Sequence, residues 1–560
     1  MPPDCSIIVV LMARRSRIPA PRPPVKVRLL DAALLAALVA VVFGVYFAVE
    51  LQRNRTPGFP LDDPWIHLTF ARNLAQGRGF SFNPGEPVAG STAPLWTLIL
   101  ALAHVFLKNA TEMVVAAKVL SAVFLVVASV YAFRLGMLLT GDRRAGLASG
   151  IVVATLGPMG WALMSGMEVT LSAALTLAGI YHYLNRPRGP GWFVAWVLFG
   201  LAALARPEAL VLPGFVAIDA LLRRYWLKEK VLFWRGVAVW LAVLVPYFVF
   251  NLVLSGSPFP QTFAAKASAT SIFAVFARGD LGLLGRLFTR AVPLYIGEYA
   301  AFLWRINPVL ALLIPVGLIG LVHQTIRSGR AVGFVVSLFG LGFVPVIGLT
   351  APVFGPAFQS GRYVGNVTAL LAVVAVAGGY LLGRALRHRA IKLGVIGVLV
   401  VLALFNTVTV GLATARNTAQ ATKSINEMQV KLGLWLRENT PEAATLGCND
   451  IGAIGYLSGR KIIDLSGLVT KEILAYREVE NGREQFIMDV RPDYLVIFPV
   501  SFPGFRNADF LEPLTYADPE DNTASLYDLP VQVKALAAIL ILDLVVEPAR
   551  APLVVFRCHW

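Results

Sequence analysis

The sequence predicts a polytopic α-helical membrane protein with about eleven transmembrane helices, followed by a small C-terminal extracytoplasmic α/β domain. Hydrophobic residues occupy 57% of the 560 positions, and charged residues only 15%. Ordinary soluble chains carry about 25% charged residues, and a chain this apolar lacks the polar side chains to cover itself in water. Long apolar windows recur until about residue 414, after which short β-like runs replace them. These observations exclude a soluble globular protein for most of the length.

The membrane spans follow from the apolar windows. A spanning helix needs about 20 mainly apolar residues. Windows of this kind lie near residues 29–50, 113–137, 145–165, 168–184, 191–205, 208–223, 232–254, 307–324, 331–352, 363–383 and 392–414. The stretch 94–107 is apolar but shorter than a comfortable crossing, so we interpret it as an interfacial or re-entrant helix.

The distribution of charge predicts the orientation. Lys and Arg number 49 against 33 Asp and Glu, a formal net charge of +16. In a soluble protein this surplus suggests nucleic acid, whereas in a membrane protein basic residues mark cytoplasmic loops. The short basic loops between the predicted spans lie on the same side of the membrane as the N-terminus only if the stretch 94–107 does not cross the membrane. We therefore predict no nucleic-acid partner, a cytoplasmic basic segment at 1–28, a transmembrane domain at 29–414 with an outer loop at 51–112, and an extracytoplasmic domain at 415–560.

The predicted C-terminal domain has a pattern of its own. Residues 424–439 have amphipathic helical spacing, and Thr440-Pro441 ends this helix. Asp450 is well placed to cap a short helix over 451–459. Short β-like runs lie at 444–448, 461–465, 493–498 and 552–556. This mixture predicts a small α/β fold.

The cysteines exclude two classes of small domain. Cys5, Cys448 and Cys558 form no CxxC pair and no Cys/His cluster. Neither a disulfide scaffold nor a zinc finger fits this pattern. A Cys448–Cys558 bridge and two free thiols both stay open, and we favour the free thiols.

Polar residues at membrane level are costly and usually functional, and here they collect on the predicted outer side. The candidates are Asp62, Asp63 and His67 in the outer loop, and Glu168, Arg206, Gln261, Lys266, Arg362 and Tyr363 at later outward ends. Their shared side of the bilayer indicates that a functional site lies there.

Adjacent carboxylates at positions 62 and 63 have a chemical use. A like-charge neighbour and a partly dry setting raise the pKa of one carboxyl group, which suits it to act as a general base on an acceptor hydroxyl. The alternative is an N-cap pair for the predicted helix WIHLTFARNLA, residues 65–75. Both interpretations stay open, because Asp62 or Asp63 can cap a helix while the other acts as the base.

The other candidates also have two interpretations each. Arg362 and Lys266 are isolated cations of the kind that a leaving phosphate needs, or they reach lipid headgroups. Arg206 either binds an anion or forms an internal ion pair within Arg206-Pro207-Glu208. Glu168 suits the start of a helix, and His67 suits a structural role. No residues have metal-ligand spacing, so no metal site and no cofactor are predicted, and a divalent metal is not required.

The block DDPWIHLTFARNLAQGRGFSFNPGEPVAGSTAPLW, residues 62–96, closely resembles the first outer-loop block of bacterial GT-C glycosyltransferases such as the terminal arabinofuranosyltransferase of mycobacteria. Shorter landmarks follow in the order of that family. They are SGMEVTL (165–171), ARPE (205–208), GSPFPQTFAAKA (256–267), GRYV (361–364) and NDIGAIGYLSGRKIIDLSGL (449–468).

The resemblance implies a GT-C fold and a multi-pass enzyme of the bacterial cytoplasmic (inner) membrane. It implies an inverting transferase that moves a sugar from a polyprenyl-phosphate donor to a hydroxyl of a cell-envelope glycan, glycolipid or protein. The catalytic acidic residue of such enzymes, which acts as the base, maps to Asp62 or Asp63. It further implies donor-phosphate binding by Arg362, Lys266 and Arg206, and substrate binding by Glu168, His67, Gln261, Tyr363 and Trp96.

Two departures from the family pattern prevent an assignment of the sugar. The family's GYTNPLW reads GSTAPLW here (Gly90–Trp96), and its PNTFYAK-like loop reads PQTFAAK. Two other functions also stay open. A transporter or lipid-linked-sugar flippase would place its site at the midplane on broken helices, and an envelope scaffold or receptor would use the C-terminal domain for binding.

Overall fold

A computed structural model describes residues 27–185, 190–225, 232–262, 272–328, 332–350, 355–476, 479–505, 508–517 and 553–560. The chain forms a large helical bundle that is followed by a domain built on a five-stranded sheet. The basic N-terminal segment, Cys5 and Lys266 lie outside the described residues.

The described part of the bundle is mainly helical. They are α1 (Leu29–Asn54), α2 (Asp63–Ala75), α3 (Pro94–Phe106), α4 (Ala110–Thr140), α5 (Arg143–Thr155), α6 (Gly157–Met164), α7 (Val169–Asn185), α8 (Pro190–Ala205), α9 (Leu212–Tyr225), α10 (Phe233–Ser255), α11 (Ile272–Arg278), α12 (Leu281–Arg286), α13 (Val292–Ile306), α14 (Pro308–Ser328), α15 (Val332–Thr350), α16 (Gly365–Ala385) and α17 (Arg389–Ile425).

Local sequence explains where several of these helices begin and end. The Asn109 side chain accepts a hydrogen bond from the Thr111 N–H at the start of α4, and Gly141, with a φ of 75°, ends that helix. Asp142 caps α5 in the same way. Pro158 starts α6, and because proline cannot continue a preceding helix, α5 and α6 meet at a bend of 52°.

Every predicted span coincides with a helix or with a pair of helices. Five described helices are long and apolar enough to cross a membrane, and the bent α5–α6 pair makes a sixth. The five are α1, α4, α10, α16 and the continuous helix that starts with α17. The figure of about eleven spans stays a prediction, because the other helices are shorter or are interrupted.

Two regions of the bundle are built from short helices. Helix α3 has 13 residues, about 20 Å at 1.5 Å per residue, which is less than the hydrocarbon core of a bilayer. The interfacial or re-entrant interpretation of 94–107 agrees with this length. No helix is predicted from the sequence for residues 272–306, where the structure has α11, α12 and α13.

Several charged residues inside the bundle are paired with one another. Lys118 on α4 donates to Glu50 on α1 at 2.5 Å, and both side chains are buried. Arg223 donates to Asp219 at 2.6 Å within α9. Glu50 also accepts a hydrogen bond from the Gly58 N–H. The pair of Lys118 and Glu50 therefore fixes the start of the loop that leads to residues 62 and 63.

The C-terminal domain is built on a mixed sheet of five strands. They are β1 (Thr445–Cys448), β2 (Lys461–Asp464), β3 (Tyr494–Ile497), β4 (Leu511–Ala517) and β5 (Leu553–Cys558), in the order β2-β1-β3-β5-β4. Strands β2, β1 and β3 are parallel, and β5 and β4 are antiparallel to their neighbours. The domain also contains α18 (Lys431–Asn439), α19 (Gly452–Ser458) and α20 (Gly482–Val490).

Most of the predicted elements of this domain are confirmed. Four strands lie on the four β-like runs, and α18 ends before Thr440-Pro441 as expected. Strand β4 escaped prediction because Pro513 interrupts its pattern; it is an edge strand with an irregular register at Pro513, where proline is tolerated. Cys448 and Cys558 are free thiols. The predicted boundary at 415 lies within the unbroken helix α17.

The first long loop and the C-terminal domain share one hydrophobic core. Phe70 on α2 and Phe82 in the following loop pack with Leu432, Leu446 and Ile454 of the domain. These five side chains are almost fully buried. Helix α2 is therefore held between the bundle and the domain, and this contact positions the residues described next.

Candidate functional site

The site is built around the first turn of α2, where the two adjacent carboxylates point to different neighbours. Asp62 directly precedes the helix and Asp63 is its first residue. His67 follows Asp63 by four residues, so these two side chains lie on the same face of α2. The Asp62 side chain faces the C-terminal domain, whereas Asp63 faces the bundle.

Asp62 caps a helix of the C-terminal domain. Its carboxylate accepts hydrogen bonds from the backbone N–H groups of Gly452 at 2.6 Å and Ala453 at 2.8 Å, at the start of α19. A Cβ at Gly452 would lie 2.1 Å from the Asp62 carbonyl oxygen, so this close approach needs glycine. Asp62 is 8% exposed. The carboxylate therefore connects the loop to the domain.

This arrangement corrects the prediction that Asp450 caps the short helix. The first N–H groups of α19 donate to Asp62, and the Asp450 carboxylate accepts from the Gln429 side chain at 2.7 Å. The cap comes from a residue 390 positions away in the chain, which the local motif did not indicate. Nor does Asp62 cap α2 itself, since its side chain forms no cap hydrogen bond there.

Burial and the nearby Asp450 carboxylate raise the pKa of Asp62 from 3.8 to about 8, although two N–H donors act in the opposite direction. Folded Asp62 thus holds its proton where the unfolded chain has lost it. We expect its contribution to stability to be complete below about pH 4 and lost as the pH rises to about 8. The protection of the backbone amides of residues 452–458 against hydrogen exchange, followed from about pH 4 to about pH 8, would measure this contribution. Asp62→Asn should remove its pH dependence. An unchanged profile in Asp62→Asn would contradict the assignment.

Asp63 forms an ion pair with Arg362. The Arg362 Nη1 donates to the Asp63 Oδ2 at 2.6 Å. The Asp63 side chain is 30% exposed, whereas that of Arg362 is 5% exposed. A second bond joins Arg362 Nη1 to the Gln359 Oε1 at 2.9 Å. The buried Arg362 Nε has no hydrogen-bond partner among the described residues, so this guanidinium has a donor to offer an anion.

The backbone before Arg362 is held in an unusual conformation. Gln359, Ser360 and Gly361 have φ values of 47°, 54° and 83°. Left-handed conformations cost free energy for residues other than glycine, and such strain concentrates at functional sites. A Cβ at Gly361 would lie 2.5 Å from the Phe302 ring. The turn therefore fixes the direction in which Arg362 leaves the chain.

A second ion cluster lies beside this pair. Arg206 donates to Glu168 at 2.6 Å and to Glu208 at 2.7 Å. The internal pair with Glu208 was one of the two interpretations of Arg206, and the structure adds Glu168 from another loop. Burial opposes ionisation of Glu168, but the charges of Arg206, Arg362 and His67 lower its pKa. The Glu168 carboxylate is therefore kept ionised.

Tyr363 and His67 join the two ion groups. The Tyr363 ring lies 5.0 Å from the Arg206 guanidinium and 5.7 Å from that of Arg362, within the range of cation–π attraction. His67 Nε2 is 3.5 Å from a Glu168 oxygen, and its Nδ1 is 3.3 Å from the Thr97 hydroxyl. Six of the predicted site residues are thus brought together. They are Asp63, His67, Glu168, Arg206, Arg362 and Tyr363.

The remaining predicted residues have other surroundings. Trp96 is fully buried, and its Nε1 donates to the Gly166 carbonyl. This bond ties α3 to the loop that carries Glu168. Gln261 is buried and donates to the Gly467 carbonyl of the C-terminal domain at 3.1 Å. Both side chains therefore support the loops around the site, and Lys266 lies outside the described residues.

Three residues near the site were not predicted from the sequence, namely Ser91, Thr97 and Tyr295. Thr97 holds His67, and the Ser91 hydroxyl lies 3.0 Å from that of Thr97. Tyr295 on α13 is buried, and its hydroxyl has no hydrogen-bond partner in the part of the chain that the structure describes. No motif marked Tyr295, because aromatic residues on an apolar helix are common in cores.

The described residues do not form a metal site. No group of three or more His, Cys, Asp or Glu side chains among them is arranged to hold a metal ion. At the candidate site, the carboxylates of Asp63 and Glu168 are each paired with an arginine. These residues form ion pairs, so we assign no step to a metal.

Comparisons with known proteins locate the fold. A family model described as a domain of unknown function (DUF8728) matches residues 419–535. No curated protein sequence matches the chain. Among solved structures, the Archaeoglobus fulgidus oligosaccharyltransferase AglB in complex with an inhibitory peptide and a dolichol-phosphate is similar at 12% identity, with a TM-score of 0.57, over 84% of this chain and 70% of that one.

Two further structures resemble the chain. ArnT from Cupriavidus metallidurans, bound to undecaprenyl phosphate, is 15% identical with a TM-score of 0.55, over 88% of this chain and 99% of that one. The A. fulgidus oligosaccharyltransferase complex with Zn and sulfate is 12% identical with a TM-score of 0.57, over 82% and 67%. The chain therefore shares its fold with these solved structures.

Proposed function

We propose that this chain is an inverting glycosyltransferase that moves a sugar from a polyprenyl-phosphate donor to an acceptor hydroxyl on the outer face of the cytoplasmic membrane. The acceptor is a glycan, glycolipid or protein of the cell envelope. The ion pair between the half-buried Asp63 and the buried Arg362 supports this proposal most directly. It places a carboxylate base next to a cation that suits a phosphate.

In this proposal Asp63 is the base and Asp62 is a structural cap. A general base must reach the proton that it takes, and the Asp63 side chain is 30% exposed and faces the bundle. Both Asp62 oxygens already accept backbone N–H groups of α19. Asp63 is therefore the carboxylate with access to a substrate.

The reaction is a single in-line displacement. Asp63 takes the proton of the acceptor hydroxyl while that oxygen attacks the anomeric carbon of the sugar. The bond between the anomeric carbon and the phosphate oxygen breaks, and the polyprenyl phosphate leaves with both electrons. Arg362 and, behind it, Arg206 stabilise the negative charge that develops on the phosphate. The sugar is transferred with inversion.

Donor binding changes the partner of Arg362. Without donor, its Nη1 is bound to Asp63 and its Nε has no partner among the described residues. A phosphate that accepts from this guanidinium competes with Asp63 for it, and the planar fork of arginine suits two phosphate oxygens. The same step frees the Asp63 carboxylate to accept a proton.

The structural neighbours support the class of donor. Their structures hold dolichol-phosphate and undecaprenyl phosphate respectively, and both lipids carry a polyprenyl-type phosphate. Which sugar is moved does not follow from this likeness, because the loops 90–96 and 260–266 depart from the pattern of the family that the sequence resembles. We keep the arabinofuranosyl type as one of the donors to test.

Transport by the bundle is the second candidate, and the internal charges do not favour it. Asp31 pairs with Arg143, Lys118 with Glu50, and Asp219 with Arg223. Ion paths through membranes depend on ionisable groups that exchange partners. The pairs here join neighbouring helices or turns, as structural pairs do, whereas the site residues lie at the start of α2 and in the loops between other helices.

Transfer of radiolabelled sugar tests the proposal. Purified protein in lipid nanodiscs is incubated with a panel of polyprenyl-phosphate pentoses and hexoses and with membranes from a strain that lacks the gene. We expect label in the acceptor fraction with one donor, with release of polyprenyl phosphate. Uptake of labelled donor across sealed vesicles without transfer would contradict the proposal and favour a flippase.

A further inference from the structure

A basic cleft lies apart from the candidate site, where the C-terminal ends of α2 and α19 meet. It has a volume of about 200 Å³. Arg72, Arg78 and Arg460 line it together with Gln76, Phe82 and Asn83, and no acidic residue is among the lining residues. Three guanidinium groups around one small cleft form a strongly positive site.

Two of the three arginines are fixed in place. Arg72 donates to the Tyr456 carbonyl at 2.6 Å, and its guanidinium lies 4.4 Å from the centre of the Tyr456 ring. Arg460 donates to the carbonyl oxygens of Ser458, Arg437 and Thr440 and to the Thr440 hydroxyl. Both groups are therefore held by the C-terminal domain before any ligand binds.

Donors remain for a ligand. The bond to Tyr456 uses one of the five N–H groups of Arg72. Arg78 is exposed, and its guanidinium has no hydrogen bond within the described ranges. Burial and repulsion by Arg78 lower the pKa of Arg72, against a favourable contribution from Tyr456. These arginines repel each other and have no carboxylate between them.

The nearest acidic residue of the loop is engaged elsewhere. Glu86 pairs with Lys461 at 2.5 Å, and it also accepts from the Asn83 side chain at 3.2 Å. This pairing draws the Glu86 carboxylate to Lys461. The arginines of the cleft thus lack a partner from their own loop.

We propose that this cleft binds an anionic group, a phosphate or a carboxylate, that the acceptor carries. The assignment of the ligand to the acceptor rests on the proposed transferase function. Arg72 follows Asp63 by nine residues in the same helix, which places the cleft about 13 Å along the helix from the proposed base. Nine residues also turn the helix by about 900°, so Arg72 lies on the opposite face of α2 from Asp63, towards the C-terminal domain. Only an acidic glycan that is longer than one sugar and passes around the helix would contact both places.

Binding to the purified full-length protein tests the inference without turnover. The protein is placed in phosphatidylcholine nanodiscs and titrated with tetragalacturonate, 6-phosphorylated maltotetraose, neutral maltotetraose and inorganic phosphate. We expect the two acidic oligosaccharides to bind more tightly than the neutral one and to weaken as salt is raised. Arg78→Gln should weaken them about tenfold, as the loss of one charged hydrogen bond does.

Lys431→Gln is the matched control, because Lys431 is an exposed cation of the adjoining C-terminal domain that does not line the cleft. It should leave the dissociation constants unchanged. Equal binding of acidic and neutral oligosaccharides, or equal effects of the two substitutions, would overturn the inference.

Two further outcomes separate the sources of the anion. Binding of inorganic phosphate alone in an Arg78-dependent manner would overturn the assignment to the acceptor, and so would a response only to phosphatidylglycerol in the nanodisc. Arg78-dependent binding of acidic glycans by a protein that transfers no sugar would keep the cleft and reject the transferase function. The two proposals therefore fail separately.

Discussion

Asp63→Asn should lower the rate of sugar transfer by roughly 10²–10⁴-fold while donor binding is retained, because a positioned general base contributes about that factor. Asparagine keeps the shape of the side chain but cannot take the proton of the acceptor. The measurement is the initial rate of radiolabel transfer at saturating donor, with donor affinity measured separately.

Two variants make this result interpretable. Asp62→Asn leaves one side-chain oxygen for the two N–H donors of α19 and should cost stability, about 1 kcal/mol for the lost hydrogen bond, while it keeps most of the transfer per folded molecule. Glu86→Gln removes an exposed carboxylate of the same loop that is paired with Lys461 and should have no effect on transfer. Loss of transfer in Asp62→Asn with full activity in Asp63→Asn would reverse the assignment.

Arg362→Gln should lower the catalytic efficiency with donor by roughly 10²–10³-fold, the usual cost of removing one group that stabilises developing negative charge. Both KM and kcat should suffer, because the phosphate is bound in the ground state and gains charge in the transition state. Arg362→Lys keeps the charge but loses the planar fork, so it should recover only part of the rate. Donor dependence of the transfer rate in the three proteins measures this.

The double variant Asp63→Asn/Arg362→Gln distinguishes phosphate binding from simple neutralisation of Asp63. If Arg362 only balanced the Asp63 charge, removal of both partners would restore the donor affinity that Arg362→Gln loses, since no unpaired carboxylate would remain. We expect instead that the double variant binds donor as weakly as Arg362→Gln, because the phosphate has lost its cation. Donor affinity equal to that of the unmodified protein in the double variant would contradict the role of Arg362.

The helical fold and the regions where the site residues lie could be predicted from the amino-acid sequence. Spans follow from long apolar runs, because the bilayer requires them, and four of the strands follow from short β-branched runs bounded by turn residues. The resemblance in residues 62–96 and the later landmarks indicated the loops that meet. Six predicted site residues, among them Glu168 and Tyr363, do lie together.

Only the fold shows which partner each of the two carboxylates has. Asp62 and Asp63 are identical in kind and adjacent, so composition and spacing left both roles open. Their partners are 390 and 299 residues away in the chain, a distance over which no local pattern carries information. Only the docked C-terminal domain gives Asp62 two backbone donors and leaves Asp63 for Arg362.

The same reason explains the cleft and the failed cap. Arg72 and Arg78 belong to the first loop, and Arg460 belongs to the C-terminal domain, so the sequence shows isolated cations where the fold assembles a cluster. Asp450 had the right spacing to cap α19, but the position was taken by a carboxylate from another part of the chain. Local sequence sets which groups are present, and long-range packing decides which of them meet, because burial of the shared core around Phe70 fixes their positions together.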